Sequence, residues 1–564
     1  MFKHQKIKMQ APEMDALKMG TNCQPHDFNK GHIIIESSFG DSHPGSVHLD
    51  KIVNRICQSF DEADKYKGFR YFATDICDGI AQGHSGMNYS LVSREAQTDL
   101  IEIHAKSNPF DAGIFVASCD KSLPAHMQAI ARVNIPSILI PGGVMNNGSM
   151  DLTLNQIGEY NVKFKKGEIS ESEFDEIKES VCPNSGACSF LGTATTMQIM
   201  AEALGLTPLG MAVAPSDTII NHPYLKSINE IVDNLIKNDI TPDKIITKKS
   251  LENAMVIHAA ISGSTNTLIH LPAIASEMGL KMDWDFFNKI NKKVSKLVNI
   301  KPVGIFPAEY YSYAGGSVRI MNIVRNYLNL DCLTVTGRSL GAELDLLINS
   351  GYIEKNEKLL LKYNLKKEDI IFNKLKENKL PTTTILKGNL AEDGCVIKTD
   401  GLDRNLFDIY LSAKVYKNEA TAFEAIIKGE VKPYSAIIVA NEGPRGSGMP
   451  EMFYLTEALA KAKELADNTA LITDGRFSGA SNGPVIGHVS PEASNGGAIG
   501  KVVDGDLIHL DLINQTINIC NQDKKILSND LLNKRKSLEN NRTDKGILAR
   551  YRKTASSAME GAKI

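Results

Sequence analysis

Aromatic residues are scarce in this chain, and tryptophan is nearly missing: one Trp, 16 Tyr and 19 Phe in 564 residues. That leaves no cluster of rings on which nucleic-acid bases would stack. Neither charge sign is in excess, with 63 Lys+Arg against 66 Asp+Glu and a formal net charge of −3. A basic nucleic-acid footprint and an acidic disordered chain are both excluded. No run approaches the roughly 18 apolar residues that would span a bilayer. Cysteine is sparse and odd in number, nine in all, and no two form a CxxC pair, so zinc-finger spacing is absent. The opening MFKHQKIKMQAPEMD has charge with no apolar core behind it, which predicts no secretory leader. A cytoplasmic protein is expected, its thiols reduced and either buried, catalytic or metal-bound, with no nucleic-acid or membrane partner.

What is present is a large apolar share. Hydrophobic residues make up 42% of a 61.7 kDa chain that also carries 43 glycines, too long for one core and suited to several domains. GHIIIES (31–37), DAGIFVASCD (111–120) and IPSILIPGG (135–143) read as buried strands ending in polar or Gly-rich turns. KSLPAHMQAIARVN between the last two has helix length, so a βαβ unit and a parallel sheet are predicted. Ligands gather at the carboxyl ends of such strands, where Cys119, Asp120 and Lys121 fall. Residues 351–380 carry eight Lys and five acids before Pro381, the texture of a solvated helical connector. Beyond it, TTTILKG, GCVIKTDG, YSAIIVANEG, NTALITDG, GDLIHLDL and QTINIC are short β-type runs separated by turn signals. The expectation is an α/β class chain: an N-terminal parallel-sheet domain over 1–380 and a C-terminal β-barrel-like domain over 381–564. The tail ILARYRKTASSAMEGAKI is expected to be a docked helix.

Glycine-rich stretches hold the chemistry. Taken singly, each residue has an ordinary reading: Cys119 and Cys188 as buried structural thiols, Asp78 and Glu451 as caps or turn residues, Ser478 in DGRFSGAS as a turn serine, His84 and His488 as hydrogen-bonded imidazoles. Separated cysteines can also converge on iron, and lone carboxylates in glycine loops suit Mg²⁺. No GxSxG, P-loop or GxGxxG motif is present.

The order of the blocks ties these residues together. DGIAQGHSGMNYSLVSRE, the CDK triplet, GAC before a small-residue helix, GSTNTLIHLPAIA, GNLAEDGCVIK, GPRGSGMPEM and TDGRFSGASNGPVIGHVSPEA follow one another as they do in the dihydroxy-acid and phosphogluconate dehydratase family, which also contains aldonate dehydratases. The chain resembles that family from about residue 31 onward. The resemblance implies an iron–sulfur, Mg²⁺-dependent hydro-lyase acting on a small hydroxy acid as a homodimer or homotetramer. It implies that Cys119 and Cys188 hold a [2Fe–2S] or [4Fe–4S] cluster. Asp78, Asp120, Lys121 (carbamylated in the family) and Glu451 would hold Mg²⁺, and Ser478 would accept the proton.

The family's Pro-Cys-Asn cysteine is replaced here: GDSHPGSVHL (40–49) has Gly45 at that position. The third cluster thiolate must then come from elsewhere or be missing. Cys77 is the candidate, because it adjoins Asp78, with Cys182 and Cys23 as alternatives and His43 as a weaker one. The same loop and GSGMPEMFYLTEALA resemble the sugar-acid branch, so an aldonate such as xylonate, gluconate or arabinonate is the expected substrate, to be dehydrated to a 2-keto-3-deoxy acid. His43, Ser46 and His48 would then meet extra hydroxyls. Dihydroxy-acid dehydration in branched-chain amino-acid synthesis is the alternative, and a non-catalytic metal-binding or sensing protein is a remote one.

Overall fold

The computed structural model describes residues 1–7, 9–21, 23–376, 381–477 and 483–564. Its N-terminal part is built on a four-stranded, all-parallel sheet: β1 (Gly31–Ser37), β2 (Tyr66–Phe72), β3 (Ala112–Ala117) and β4 (Ser137–Pro141), in the order β2-β1-β3-β4. β1, β3 and β4 are buried along their whole length, as strands covered by helices on both faces must be. Ile33, Ile34 and Ile35 are fully buried, worth roughly 1.5–3 kcal/mol each. Helices Leu49–Ala63, Ser90–Lys106 and Ser122–Val133 connect the strands. Behind them lies a thick helical layer that includes Thr193–Leu204, Lys248–Ile261 and Thr267–Glu277.

The C-terminal part is a closed eight-stranded barrel of β5 (Thr383–Gly388), β6 (Ala391–Lys398), β7 (Asp408–Tyr416), β8 (Ser435–Val439), β9 (Ala470–Thr473), β10 (Val485–Ser490), β11 (Leu507–Asp511) and β12 (Thr516–Cys520), in the order β10-β6-β5-β12-β11-β7-β8-β9. Its interior is filled by Leu386, Ile397, Leu411, Ile438, Ile472, Ile486, Ile508 and Ile517 among others. Closure removes free strand edges.

Two segments have their own lesson. Within 351–380, Ile353, Leu360, Ile370 and Ile371 belong to the N-terminal core. The stretch is therefore packed on one face, not a solvated connector. The tail forms a helix at Gly546–Thr554 whose Leu548 and Tyr551 pack with Leu91, Val92, Ile269 and Met449, so it joins the two parts of the chain. Among the described residues no helix is long and apolar enough to cross a membrane.

Candidate active site

The loops that follow β1, β2 and β3 leave the same edge of the parallel sheet, and each delivers part of one site. His43 and Gly45 follow β1; Asp75, Cys77 and Asp78 follow β2; Cys119, Asp120 and Lys121 follow β3. Cys119 has φ +74°, a left-handed conformation costly for a residue with a side chain. The turn holds its thiol between strand and helix. The carboxylate of Asp75 fixes the corner: Oδ2 accepts from the backbone N–H of Ser122 at 3.0 Å and Oδ1 lies 3.0 Å from His43 Nε2.

Three donor atoms converge there. A ring nitrogen of His43 and the Sγ atoms of Cys77 and Cys119 all lie within 4.8 Å of one another. The neighbouring Cys119 thiol is the main reason the Cys77 thiol falls to about 7, with burial opposing. The Cys77 thiol, with burial, pushes Cys119 well up in turn. Cys188 is raised chiefly by burial, with Asp120 and Cys77 contributing. Its loop is tied to the first one by a 2.8 Å bond from Gly186 N–H to the Pro44 carbonyl. At Gly45 a Cβ atom would lie 3.1 Å from both Cys119 Sγ and His43 Nδ1. Glycine thus keeps open the space between two donors.

Of the two alternative thiols, one lies near this group and the other does not. Cys182 is half-buried, packed beside Leu152, Ile177 and Val181 and close enough to Cys77 to feel its charge. Cys23 lies beside Thr21 and Lys18. Lys18 in turn reaches His32 at the start of β1. A seven-residue strand spans on the order of 20 Å, so Cys23 is at the wrong end of the sheet for a shared centre.

The carboxylates form the second half of the site. Lys121 Nζ, fully buried, donates to Asp78 Oδ2 at 2.8 Å, and Ser90 Oγ lies 2.9 and 2.8 Å from the two Asp78 oxygens. Burial alone would raise Asp78, but Lys121 and Arg476 outweigh it and hold the carboxyl below its usual range. Arg476, also fully buried, places Nη1 3.4 Å from Asp78 Oδ2 and 3.0 Å from Glu451 Oε1. Asn266 donates to the same Glu451 oxygen at 2.6 Å. Asp120 Oδ1 accepts from the Ala194 N–H at 2.9 Å; burial, with Asp78 and Glu451 nearby against Lys121, pushes its carboxyl up to about 7. Arg476 was not singled out by sequence, although it lies two residues from Ser478 in the DGRFSG block. Ser478 itself lies outside the described residues.

A cavity of about 270 Å³ opens onto these groups. Its lining includes Asp78, Asp120, Glu451, Thr193, Ser264 and Cys188, further polar side chains at Gln82, Asn155 and Thr195, and Leu154, Ile157, Phe190, Phe453 and Tyr454. Larger clefts on the surface, such as the one around Asn441 and Arg445, hold no thiol. Three residues expected near substrate hydroxyls are not part of the lining. His43 is bound to Asp75, Ser46 Oγ donates to the Gly40 carbonyl at 2.6 Å, and His48 Nε2 lies 2.7 Å from the Gly142 carbonyl. All three are buried, satisfying loop backbone and the Asp75 corner. His84 is a local cap, with Nδ1 accepting from Gly86 N–H at 3.0 Å.

Residues 30–343 match the N-terminal profile of the dihydroxy-acid/6-phosphogluconate dehydratases, and residues 375–562 match the C-terminal one. The chain belongs to that family. It is 36% identical over 561 residues to a dihydroxy-acid dehydratase of Methanococcoides burtonii, covering 98% of this chain and 97% of that one. It is 37% identical over 538 residues to the dihydroxy-acid dehydratase of Caldicellulosiruptor saccharolyticus, covering 94% of each. A dihydroxy-acid dehydratase of Methanococcus maripaludis is 36% identical, with 97% of both chains covered. These relatives are named dihydroxy-acid dehydratases and not sugar-acid dehydratases, which corrects the emphasis placed on the 40–49 loop. Family membership makes the chain a dehydratase-type lyase.

Proposed function

We propose that this chain dehydrates a 2,3-dihydroxy acid with a short branched alkyl group to the 2-keto acid. The observation that carries this reading is the lining of the cavity. Asp78, Asp120, Glu451 and Cys188 line it together with Gln82, Asn155, Thr193, Thr195 and Ser264, and Leu154, Ile157, Phe190, Phe453 and Tyr454 add a largely apolar wall. Each hydroxyl of a polyol chain set against that wall would cost roughly 1–3 kcal/mol, whereas a branched alkyl group would be buried there at no such cost. A phosphorylated substrate is disfavoured because no Arg or Lys is among the described lining residues.

The donor sets fit the two groups the family implies. Thiols of Cys77, Cys119 and Cys188 are soft ligands suited to an iron–sulfur cluster, and Asp78, Asp120 and Glu451 are hard oxygen ligands suited to Mg²⁺. When bound, the two groups supply Lewis acidity, one to the departing hydroxyl and the other to the carboxylate and α-hydroxyl. The protein's own share is charge placement. Arg476 and Asn266 hold Glu451, and Ser90 and Arg476 hold Asp78, so little rearrangement is required when substrate arrives. Lys121 Nζ donates to Asp78; carbamylation would turn that side chain into an anionic oxygen donor in the same place. Ser478, two residues beyond Arg476, is assigned the α-proton. The apolar walls exclude water from the reacting carbons. In this reading the enzyme works as a cytoplasmic homodimer or homotetramer.

The test is a side-by-side turnover assay of anaerobically prepared protein, reading 2-keto acid release. 2,3-Dihydroxyisovalerate should turn over at least about tenfold faster than xylonate, gluconate, arabinonate or 6-phosphogluconate, the discrimination that roughly 1.4 kcal/mol of buried mismatch gives. Faster turnover of any sugar acid would refute the substrate assignment.

A further inference from the structure

We infer that His43, through Nδ1, is a nitrogen ligand of the iron centre beside Cys77 and Cys119, so that the centre has mixed sulfur and nitrogen ligation. This rests on the iron–sulfur reading above and specifies how the loop that lost its cysteine still contributes to the centre.

Four observations point the same way. His43 is 4% exposed, and among the described residues its Nδ1 has no hydrogen-bond partner. A buried ring nitrogen left without a partner is costly. Its other nitrogen, Nε2, is 3.0 Å from Asp75 Oδ1, and Asp75 is itself held by the Ser122 N–H. A carboxylate behind an imidazole is the arrangement that fixes the ring and its tautomer, because the proton stays on the nitrogen facing the carboxylate. Nδ1 then presents its lone pair forward. A ring nitrogen of His43 and the sulfurs of Cys77 and Cys119 lie within 4.8 Å of one another. Finally, Gly45 is the residue whose missing Cβ keeps the gap between His43 Nδ1 and Cys119 Sγ clear, each 3.1 Å from the position that atom would take. The loop after β1 thus offers an imidazole at 43 and open space at 45. Cys188 lines the substrate cavity and His43 does not, so the nitrogen belongs to the side of the centre turned away from substrate.

The experiment uses the full chain purified anaerobically, with iron and acid-labile sulfide measured first. The reduced cluster is then studied by pulsed electron paramagnetic resonance in protein grown with ¹⁴N- or ¹⁵N-histidine. The expected result is a strongly coupled nitrogen that changes with the isotope and vanishes in His43→Ala while iron–sulfur absorption persists in altered form. A cluster signal without such a histidine coupling, or one that survives in His43→Ala, overturns the assignment and leaves the cluster reading standing. Absence of iron and sulfide from the wild-type protein overturns both. The isotope comparison needs no variant, so a His43→Ala protein that failed to fold would not rescue the proposal.

Discussion

At the scale of single residues, the site is governed by what stands behind each ligand. Gly45 matters for the atoms it lacks. Gly45→Ala would set a methyl 2.9 Å from Cys119 Cβ and 3.1 Å from its sulfur, closer than neighbouring side chains tolerate. Bound iron per chain should fall markedly in metal analysis of that variant, with the far-ultraviolet circular dichroism unchanged; undiminished iron would show that the gap is not part of the centre. Arg476 acts on the other half. It alone reaches both Asp78 and Glu451 among the arginines of the described residues, and a lysine would lack the fork that does so. Arg476→Lys should weaken Mg²⁺ activation by about 10–100-fold, the usual cost of removing support behind a metal ligand, without altering iron content. Such residues are hard to find from sequence because their signal is spatial. Asp78 and Glu451 stand out in glycine-rich loops and Asp120 at a strand end, and their grouping came from the order of the family-like blocks; His43 entered only as a weaker third-ligand alternative, and Arg476 looked like an ordinary charge beside a serine.

At the scale of elements, legibility followed burial. β1, β3 and β4 are enclosed on both faces and read as continuous apolar runs, so their positions were evident. β2, YKGFRYF, is an edge strand whose residues are mostly half-buried or exposed, and its mixed texture gave no comparable signal. The helices Thr193–Leu204, Lys248–Ile261 and Thr267–Glu277 are buried on nearly every side, which erases the 3.6-residue periodicity by which surface helices are found. β1 also carries a buried acid. Glu36 is raised to about 8 by burial, with His104 Nδ1 3.0 Å from its Oε2 and, among the described residues, no partner for Oε1. Its folded value lies above the ordinary carboxylate value. The protonated form is therefore the favoured one, and stability falls as pH rises from about 4.5 to about 8. Glu36→Gln should flatten that part of a melting-temperature profile between pH 5 and 9. An unchanged profile would contradict the assignment.

At the scale of the molecule, two separately folded architectures complete one site. The parallel sheet contributes thiols, Asp78 and Asp120. Glu451 comes from a loop of the second half, secured by a backbone bridge to Arg476, with Met452 N–H on the Arg476 carbonyl at 3.0 Å. The docked tail stitches the halves together at Leu548 and Tyr551. Composition and strand patterning foretold this bipartite plan, but the meeting of the halves had no signature in either one alone. The division of labour predicts a clean separation of effects. Ser478→Ala should abolish turnover by roughly 100-fold or more, the scale of a lost general base, while leaving iron, sulfide and visible absorption intact. Loss of the chromophore in that variant would contradict a purely catalytic serine.

The central claim is that soft and hard ligand sets face a single substrate cavity. Diffraction from anaerobically grown crystals, with data on both sides of the iron edge, addresses it directly. The account predicts an anomalous iron peak bonded by Cys77, Cys119 and Cys188, and a lighter cation with no such peak between Asp78, Asp120 and Glu451. Iron located away from those thiols, or a single metal bridging thiols and carboxylates alike, would contradict it.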